Sequence, residues 1–343
     1  MDAQRFVPAR AFIEEAALSY PLGELIRNRL RDLGVLATVM RRGQRPAVPG
    51  VNPSQVYAEA KKTLVVRVRK EKGFSSCRPS AHYQLPLVTS CPGLCQYCYL
   101  QTTLGPRPYI RVYANIEEIL AEAKRLVQER EGQVTLFEGS ATSDPLPLEH
   151  ITGSLRRAID FFGGLEDSGF RFVTKFADIE PILGADHRGR TTVRFSVNAA
   201  HVLRYEHGTA PLERRLWALS KVAGDGYHSG LMIGPVIIFD GWKDEYRDLL
   251  DKVKSALGGT EGVGRGIGFE VITHRFTSRA KKSILSVFPN TTLPMEEGDR
   301  RLVHGQFGYT KYVYPKETVE EVREFFETEI RERLPGAVIQ YIV

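Results

Sequence analysis

Four cysteines in 343 residues are too few, and too unevenly spread, for a disulfide framework. The chain has no apolar run long enough to cross a membrane. Met1 to Pro8 has no apolar core of the kind a signal peptide carries. Together these absences lead to the expectation of a protein of the reducing cytoplasm, working as a monomer and free of membrane. No internal repeat or low-complexity tract is present, which sets aside solenoids and linker-like chains. Strong charge of either sign is missing too. The net charge of +6 and pI near 9.1 are compatible with a polyanion partner without being diagnostic of one. The length suits one large α/β barrel with appendages, or two smaller domains.

What is present is a cluster. Cys91, Cys95 and Cys98 stand at C-x3-C-x2-C spacing on one short loop, with Pro92 and Gly93 forcing the turn between the first two. Three soft thiolates on such a loop can hold one metal centre, and thiolates select zinc, copper(I) or iron–sulfur clusters. A structural zinc wants four protein ligands and a closed site. Three cysteines suggest instead a [4Fe-4S] cubane with one iron open to a further ligand. A zinc site with Cys77 as fourth ligand is the alternative, and with it a zinc-bearing DNA-binding module.

Around this loop the sequence alternates strands and helices. Strands are expected over 63–69, 82–89, 134–137, 170–175, 192–197, 229–238 and 268–273, and helices over 22–33, 116–129, 150–162, 211–222 and 243–256. Repeated βα units argue for a parallel sheet curled into a full or partial barrel, with chemistry on the loops after the strands. The cysteine loop and the polar loop 138–144 both fall there. Residues 1–60 look like an N-terminal cap, 61–290 like the barrel, and 291–343 like a separate closing segment. Gly262, Gly264, Gly266 and Gly268 resemble a phosphate cradle but precede a strand, so they read as a loop. Glycines, cations and rings interleave over 291–314, suggesting a β-hairpin suited to nucleic acid. A helix over 316–333 and a strand over 337–343 close the chain.

The cysteine spacing resembles that of the radical S-adenosylmethionine (SAM) enzymes. With the runs Cys91 to Gly105, Pro108 to Tyr113, Phe137 to Asp144, Arg171 to Lys175, His274 to Thr277 and Lys311 to Tyr314, the chain resembles the spore photoproduct lyases from about Tyr20 onward. That resemblance implies a partial (β/α)6 barrel of radical SAM type with an N-terminal cap and a C-terminal DNA-binding β-hairpin. It implies a carbon–carbon lyase that repairs 5-thyminyl-5,6-dihydrothymine in double-stranded DNA, returning two thymines. Cys91, Cys95 and Cys98 would hold the [4Fe-4S] cluster, whose open iron takes SAM. One electron, from a donor such as flavodoxin or ferredoxin, would then yield a 5′-deoxyadenosyl radical that abstracts hydrogen from C6 of the lesion. The resemblance assigns SAM contacts to Tyr99, Ser140, Lys175, Ser196 and Asn198, and a tyrosine pair that passes hydrogen atoms to Tyr97 and Tyr99. Lesion and DNA contacts fall to Ser143, Arg300, Arg301, Gln306 and Phe307, and the hairpin is the candidate wedge that extrudes the lesion.

The pattern breaks at one place. The family carries Glu-Ala-Ala-Cys-Thr-Ser-Asp, whose cysteine gives a hydrogen atom to the product radical. Here Ala141 stands in its position, flanked by Gly139 and Ser140. Alanine has no weak X–H bond to give. The chain is then an engineered trap, a relative that takes its hydrogen from another thiol, or a paralogue acting on another nucleic-acid substrate. Cys77 is the one thiol left over and the candidate donor, although a loop entering its strand from the N-terminal end is expected to face away from the site.

Overall fold

The computed structural model describes residues 5–139, 141–258, 266–304 and 310–343. Ser140, Gln306, Phe307, Gly262 and Gly264 lie outside the described residues. The chain opens with three parallel strands, β1 (Arg10–Glu14), β2 (Ala37–Met40) and β3 (Thr63–Arg67), with β1 in the middle. This sheet crosses residue 60, where composition suggests a boundary, and it takes in β3. The next two strands, β4 (Ser76–Cys77) and β5 (Ala81–Gln84), form an antiparallel pair that starts a second sheet.

The chain then changes sheets. The stretch 82–89, expected as one strand, is two: β5, and β6 (Val88–Thr89), which belongs to the first sheet. Leu85 N–H still donates to the Glu138 carbonyl at 2.9 Å. Pro86 has no N–H to continue the ladder, and the chain leaves. After β7 (Leu94–Cys95), inside the cysteine loop, β8 (Ile110–Tyr113) completes the first sheet in the order β2-β1-β3-β8-β6.

The second sheet grows by βα units: β9 (Thr135–Glu138), β10 (Ser168–Thr174) and β11 (Thr191–Val197). A short β12 (Glu206–His207) turns aside to pair with β7. Growth resumes with β13 (His228–Val236) and β14 (Gly268–Thr273). An antiparallel pair, β15 (Arg301–His304) and β16 (Thr310–Val313), comes next, and β17 (Val338–Ile342) forms the far edge. The order is β17-β14-β13-β11-β10-β9-β5-β4, parallel throughout except β4.

Strand periodicity divides this sheet's residues between two faces. Phe137, Phe170, Phe172, Val193 and Phe195 are buried on the helix side. There the ring of Phe162 stacks on Phe170 at 5.3 Å. Phe162 belongs to helix Ser154–Gly163, whose Leu155, Ala158, Ile159 and Phe162 repeat at helical spacing and are all buried. The single helix expected over 150–162 is in fact broken at Gly153, whose φ of 66° only glycine adopts cheaply. The Glu149 carboxylate accepts from Leu155 and Arg156 N–H, at 2.8 and 2.9 Å, and so caps the second piece.

The other face carries charge. Arg194 bridges Glu138 and Glu270, and Arg171 reaches both carboxylates as well. In a flat sheet β10 and β14 would stand about 14 Å apart, three strand spacings. Direct contact between Arg171 and Glu270 therefore requires the sheet to curl into a half-barrel with this face inside. The result is a mixed α/β fold around an open, curled sheet. No helix among the described residues is long and apolar enough to cross a membrane.

Candidate active site at the cysteine loop

The loop is held at both ends. Ser90, with φ of 69°, enters it with its N–H on the Thr142 carbonyl at 2.8 Å and its hydroxyl on the Pro108 carbonyl at 2.7 Å. The cysteine loop and the 139–144 loop are thereby tied side by side. At the other end Cys95 pairs with Glu206 through β7 and β12, and Gln96 N–H donates to the Tyr205 carbonyl at 2.9 Å. A Cβ on Gly93 would meet the Thr209 methyl at 3.3 Å and lie in contact with the sulfurs of Cys91 and Cys95, at 3.7 and 3.9 Å. Burial pushes the thiols of Cys91 and Cys95 upward. A metal centre must displace those protons, as thiolate ligation always requires.

No three His, Cys, Asp or Glu side chains stand at single-ion spacing among the described residues. Three thiols on one loop are the donor set that a [4Fe-4S] cluster with one open iron takes. Among the described residues no fourth side chain joins them as a structural zinc would need. The charges acting on Cys77 are those of Glu138, Arg194 and Arg171, whereas Cys91 and Cys95 each feel other cysteines of the loop. Several buried polar atoms beside the loop have no protein partner, among them Tyr57 Oη, Lys61 Nζ and Ser143 Oγ. Native proteins rarely leave such atoms idle, and a bound group explains them.

Lys175 stands just past β10. Its ammonium donates to Ser196 Oγ at 2.7 Å, Glu206 Oε1 at 2.7 Å and the Tyr97 hydroxyl at 3.1 Å. Tyr97 donates in turn to Glu206. Arg215 lies 2.6 Å from the second Glu206 oxygen and donates to the Ser196 carbonyl at 2.9 Å. Burial alone would raise Glu206, but Lys175 and Arg215 together hold it below the usual carboxylate value. Burial of Tyr97, followed by the Glu206 charge, pushes that phenol well up. Asp144 accepts from Lys175 N–H at 2.8 Å and Thr174 Oγ1 at 2.9 Å, while burial raises its carboxyl to about 7.

Sequence reasoning missed Glu206 and Arg215. Arg215 left a signal: it is the cation on the apolar face Leu212, Leu216, Leu219, Val222 of helix Leu212–Gly224. Glu206 left none.

The two tyrosines part company. Tyr97 is packed into the Lys175 network. Tyr99 is 58% exposed, and its hydroxyl donates to the Ala141 carbonyl. Burial of that end, then the charges of Cys98, Cys77 and Glu138, push the phenol up. Cys77 therefore lies within electrostatic reach of Tyr99. The edge strand β4 sets it beside Glu138, Arg194 and Arg171, inner-face residues, so the expectation that it faces away is corrected. A sequence cannot show that the segment before β5 doubles back along it.

Asn198 is fully buried, donating to the Pro235 carbonyl at 2.9 Å and accepting from Tyr246 at 2.8 Å. Arg300 lies 3.6 Å from the Tyr314 ring centre and donates to the His274 carbonyl at 2.9 Å, so it braces the base of the β15–β16 pair. Arg301 is exposed at the start of β15, and Ser143 is bridged to Ser90 beside the cysteine loop.

The spore photoproduct lyase family model matches residues 6–343. A spore photoproduct lyase of Clostridium acetobutylicum is 43% identical over 335 residues, 97% of this chain and 98% of that one. One of Bacillus subtilis is 43% identical over 338 residues, 98% of each. Among solved structures, a spore photoproduct lyase complexed with dinucleoside spore photoproduct superposes with a TM-score of 0.96 at 39% identity, covering 99% of this chain and 100% of that one. A double mutant of the enzyme, one cysteine changed to alanine and one serine to cysteine, with bound AdoMet and dinucleoside spore photoproduct, gives 0.95 at 40%, with the same coverage.

Proposed function

This chain belongs to the spore photoproduct lyase family, a family of DNA-repair enzymes that use SAM and a [4Fe-4S] cluster, and on that premise we propose that it returns spore photoproduct to two thymines with Cys77 as the hydrogen donor. The observation that supports the Cys77 assignment is its electrostatic contact with Glu138, Arg194 and Arg171 of the inner face and with Tyr99, whose hydroxyl donates to the Ala141 carbonyl. In the solved double mutant the introduced cysteine and the introduced alanine are 64 residues apart, as Cys77 and Ala141 are here. That spacing supports reading this chain as a natural counterpart of the same exchange.

The chemistry divides among residues. When bound, the cluster and SAM supply a carbon-centred oxidant that takes hydrogen from C6 of the lesion. Cys91, Cys95 and Cys98 hold the cluster. Lys175 and Arg215 outnumber Glu206 by one charge, which suits a carboxylate such as that of SAM. Ser196 orients the Lys175 ammonium. Burial, then Glu138, push the Cys77 thiol up to about 11, so it remains S–H at neutral pH. A hydrogen-atom donor needs that bond intact. Once Cys77 has given its hydrogen atom to the thymine radical, Tyr99 would return a hydrogen atom to the Cys77 sulfur, so that the radical passes back toward the cofactor.

We read β5, β9, β10, β11, β13 and β14 as the six-unit partial barrel over 61–290, capped by residues 1–60. The β15–β16 pair within 291–343 wedges double-stranded DNA, with Arg301 on phosphate. A flavodoxin or ferredoxin supplies the electron to a cytoplasmic monomer.

The test is anaerobic repair of dinucleotide spore photoproduct. The unaltered chain should release thymine cleanly, and Cys77→Ala should slow it or divert the product radical to adducts. Unchanged rate and clean product in that variant would clear Cys77 of the role, and no thymine from the unaltered chain would remove the lyase reading.

A further inference from the structure

Helix Pro53–Lys61 belongs to the N-terminal region. Tyr57 and Lys61 lie one turn apart on it and share a face. Both are buried, at 2% and 1% exposure. The Lys61 ammonium sits 5.5 Å from the centre of the Tyr57 ring. Neither Tyr57 Oη nor Lys61 Nζ has a hydrogen-bond partner. A buried ammonium without a counter-ion is costly to keep, and deleting its charge by substitution would be easy for evolution to accept. Cys91, Cys95 and Cys98 are within electrostatic reach of the Tyr57 hydroxyl, and Cys91 within reach of the Lys61 ammonium.

A group bound by three thiolates resolves this. A [4Fe-4S] core with three cysteinates carries net negative charge, which grows by one when an electron enters. Charge and hydrogen bonds around the sulfurs set the reduction potential of such centres. We propose that Lys61, with Tyr57 beside it, is the counter-ion built for the cluster, and that it favours the reduced state. The Lys61 ammonium meets the added negative charge in a dry setting, where the attraction is screened little. The Tyr57 hydroxyl donates to the same sulfur-rich surface. The cap region thus contributes to the electron-accepting step without touching the lesion.

This rests on the three cysteines holding the cluster, so the test begins there. The full chain is reconstituted anaerobically with iron and sulfide, its iron is counted, and the reduced state is followed by electron paramagnetic resonance during titration with dithionite. Absence of iron in the unaltered chain would sink the cluster assignment itself. Given iron, Lys61→Met should keep the cluster but make reduction at least tenfold less favourable, which for one electron is about 59 mV toward negative potential. Lys61→Arg should restore most of the shift, and Tyr57→Phe should move it the same way by less. A Lys61→Met protein with the unaltered potential overturns the proposal. If Lys61→Met folds but loses iron, Lys61→Arg decides: retained iron supports a counter-ion, and equal loss shows that shape alone mattered and overturns it.

Discussion

The inner quartet of Glu138, Arg171, Arg194 and Glu270 balances two negative side chains against two positive ones, whereas the group beside the cysteine loop sets one carboxylate, Glu206, against Lys175 and Arg215. In the quartet Ser80 and Tyr341 donate to the carboxylate oxygens, Arg194 is 2% exposed and the Arg171 side chain 15%. The second group has a surplus cation, Lys175, whose side chain is 19% exposed. Burial makes both expensive to assemble. A neutral set of ions earns its place by fixing the curl of the sheet. A set left one charge short is prepared for an anion that arrives later. Charge balance, more than burial, separates the structural ion group from the functional one.

Four measurements press on that contrast. The largest effect is expected for Arg194→Met, which leaves two buried carboxylates sharing Arg171 alone and should cost about 3–5 kcal/mol in denaturant unfolding. A loss under about 1 kcal/mol would mean that the quartet is not the balanced unit described. Next comes Lys175→Met. It leaves Glu206 and Arg215 as a neutral pair, so the unfolding midpoint should hardly move. Calorimetric SAM binding should weaken by about 1.5–3 kcal/mol, the usual worth of a hydrogen bond to a charged group. A midpoint falling as far as in Arg194→Met would erase the distinction.

Arg300 offers a third kind of cation, half-buried and held by carbonyls and the face of Tyr314. Burial, then Arg300, hold His274 down to about 3 from 6.5. The unfolded chain takes up that proton more readily than the folded one. The resulting stability is therefore present above 6.5 and lost as pH falls from there toward 3. Urea midpoints should decline across that window, and His274→Gln should flatten the decline.

The smallest effect concerns Cys77, whose thiol is pushed up to about 11 from 9.0. The folded chain keeps this proton longer than the unfolded one, so stability should slip slightly as pH rises from 9 toward 11. The yield of clean thymine should stay level to about pH 9 and fall only beyond it. A fall already at neutral pH would mean that the thiol donor is a different group.

Much of the frame was readable in the chain. Helix Lys316–Arg333 and strand Gly268–Thr273 lie where periodicity places them, because the 3.6- and two-residue repeats survive in isolation. The cysteine spacing was equally plain. Errors came where two sheets compete for one stretch: 82–89 keeps a strand pattern throughout, but its halves pair with β9 and β8, over fifty and over twenty residues ahead. Glu206 was invisible because its partners, Lys175 and Arg215, come from a strand end and a helix that only folding brings together.

The order of amino acids by itself determined the alternation of strands and helices, the three thiols on one loop, and the loss of a thiol at Ala141. Those are local facts, carried by spacing and by the chemistry of single side chains. Only the tertiary structure decided that Cys77 looks inward, that Glu206 stands between two cations, and that Lys61 and Tyr57 are buried against the cysteine loop. Each of these depends on which segments cross in space, and contacts between distant segments leave no period in the chain.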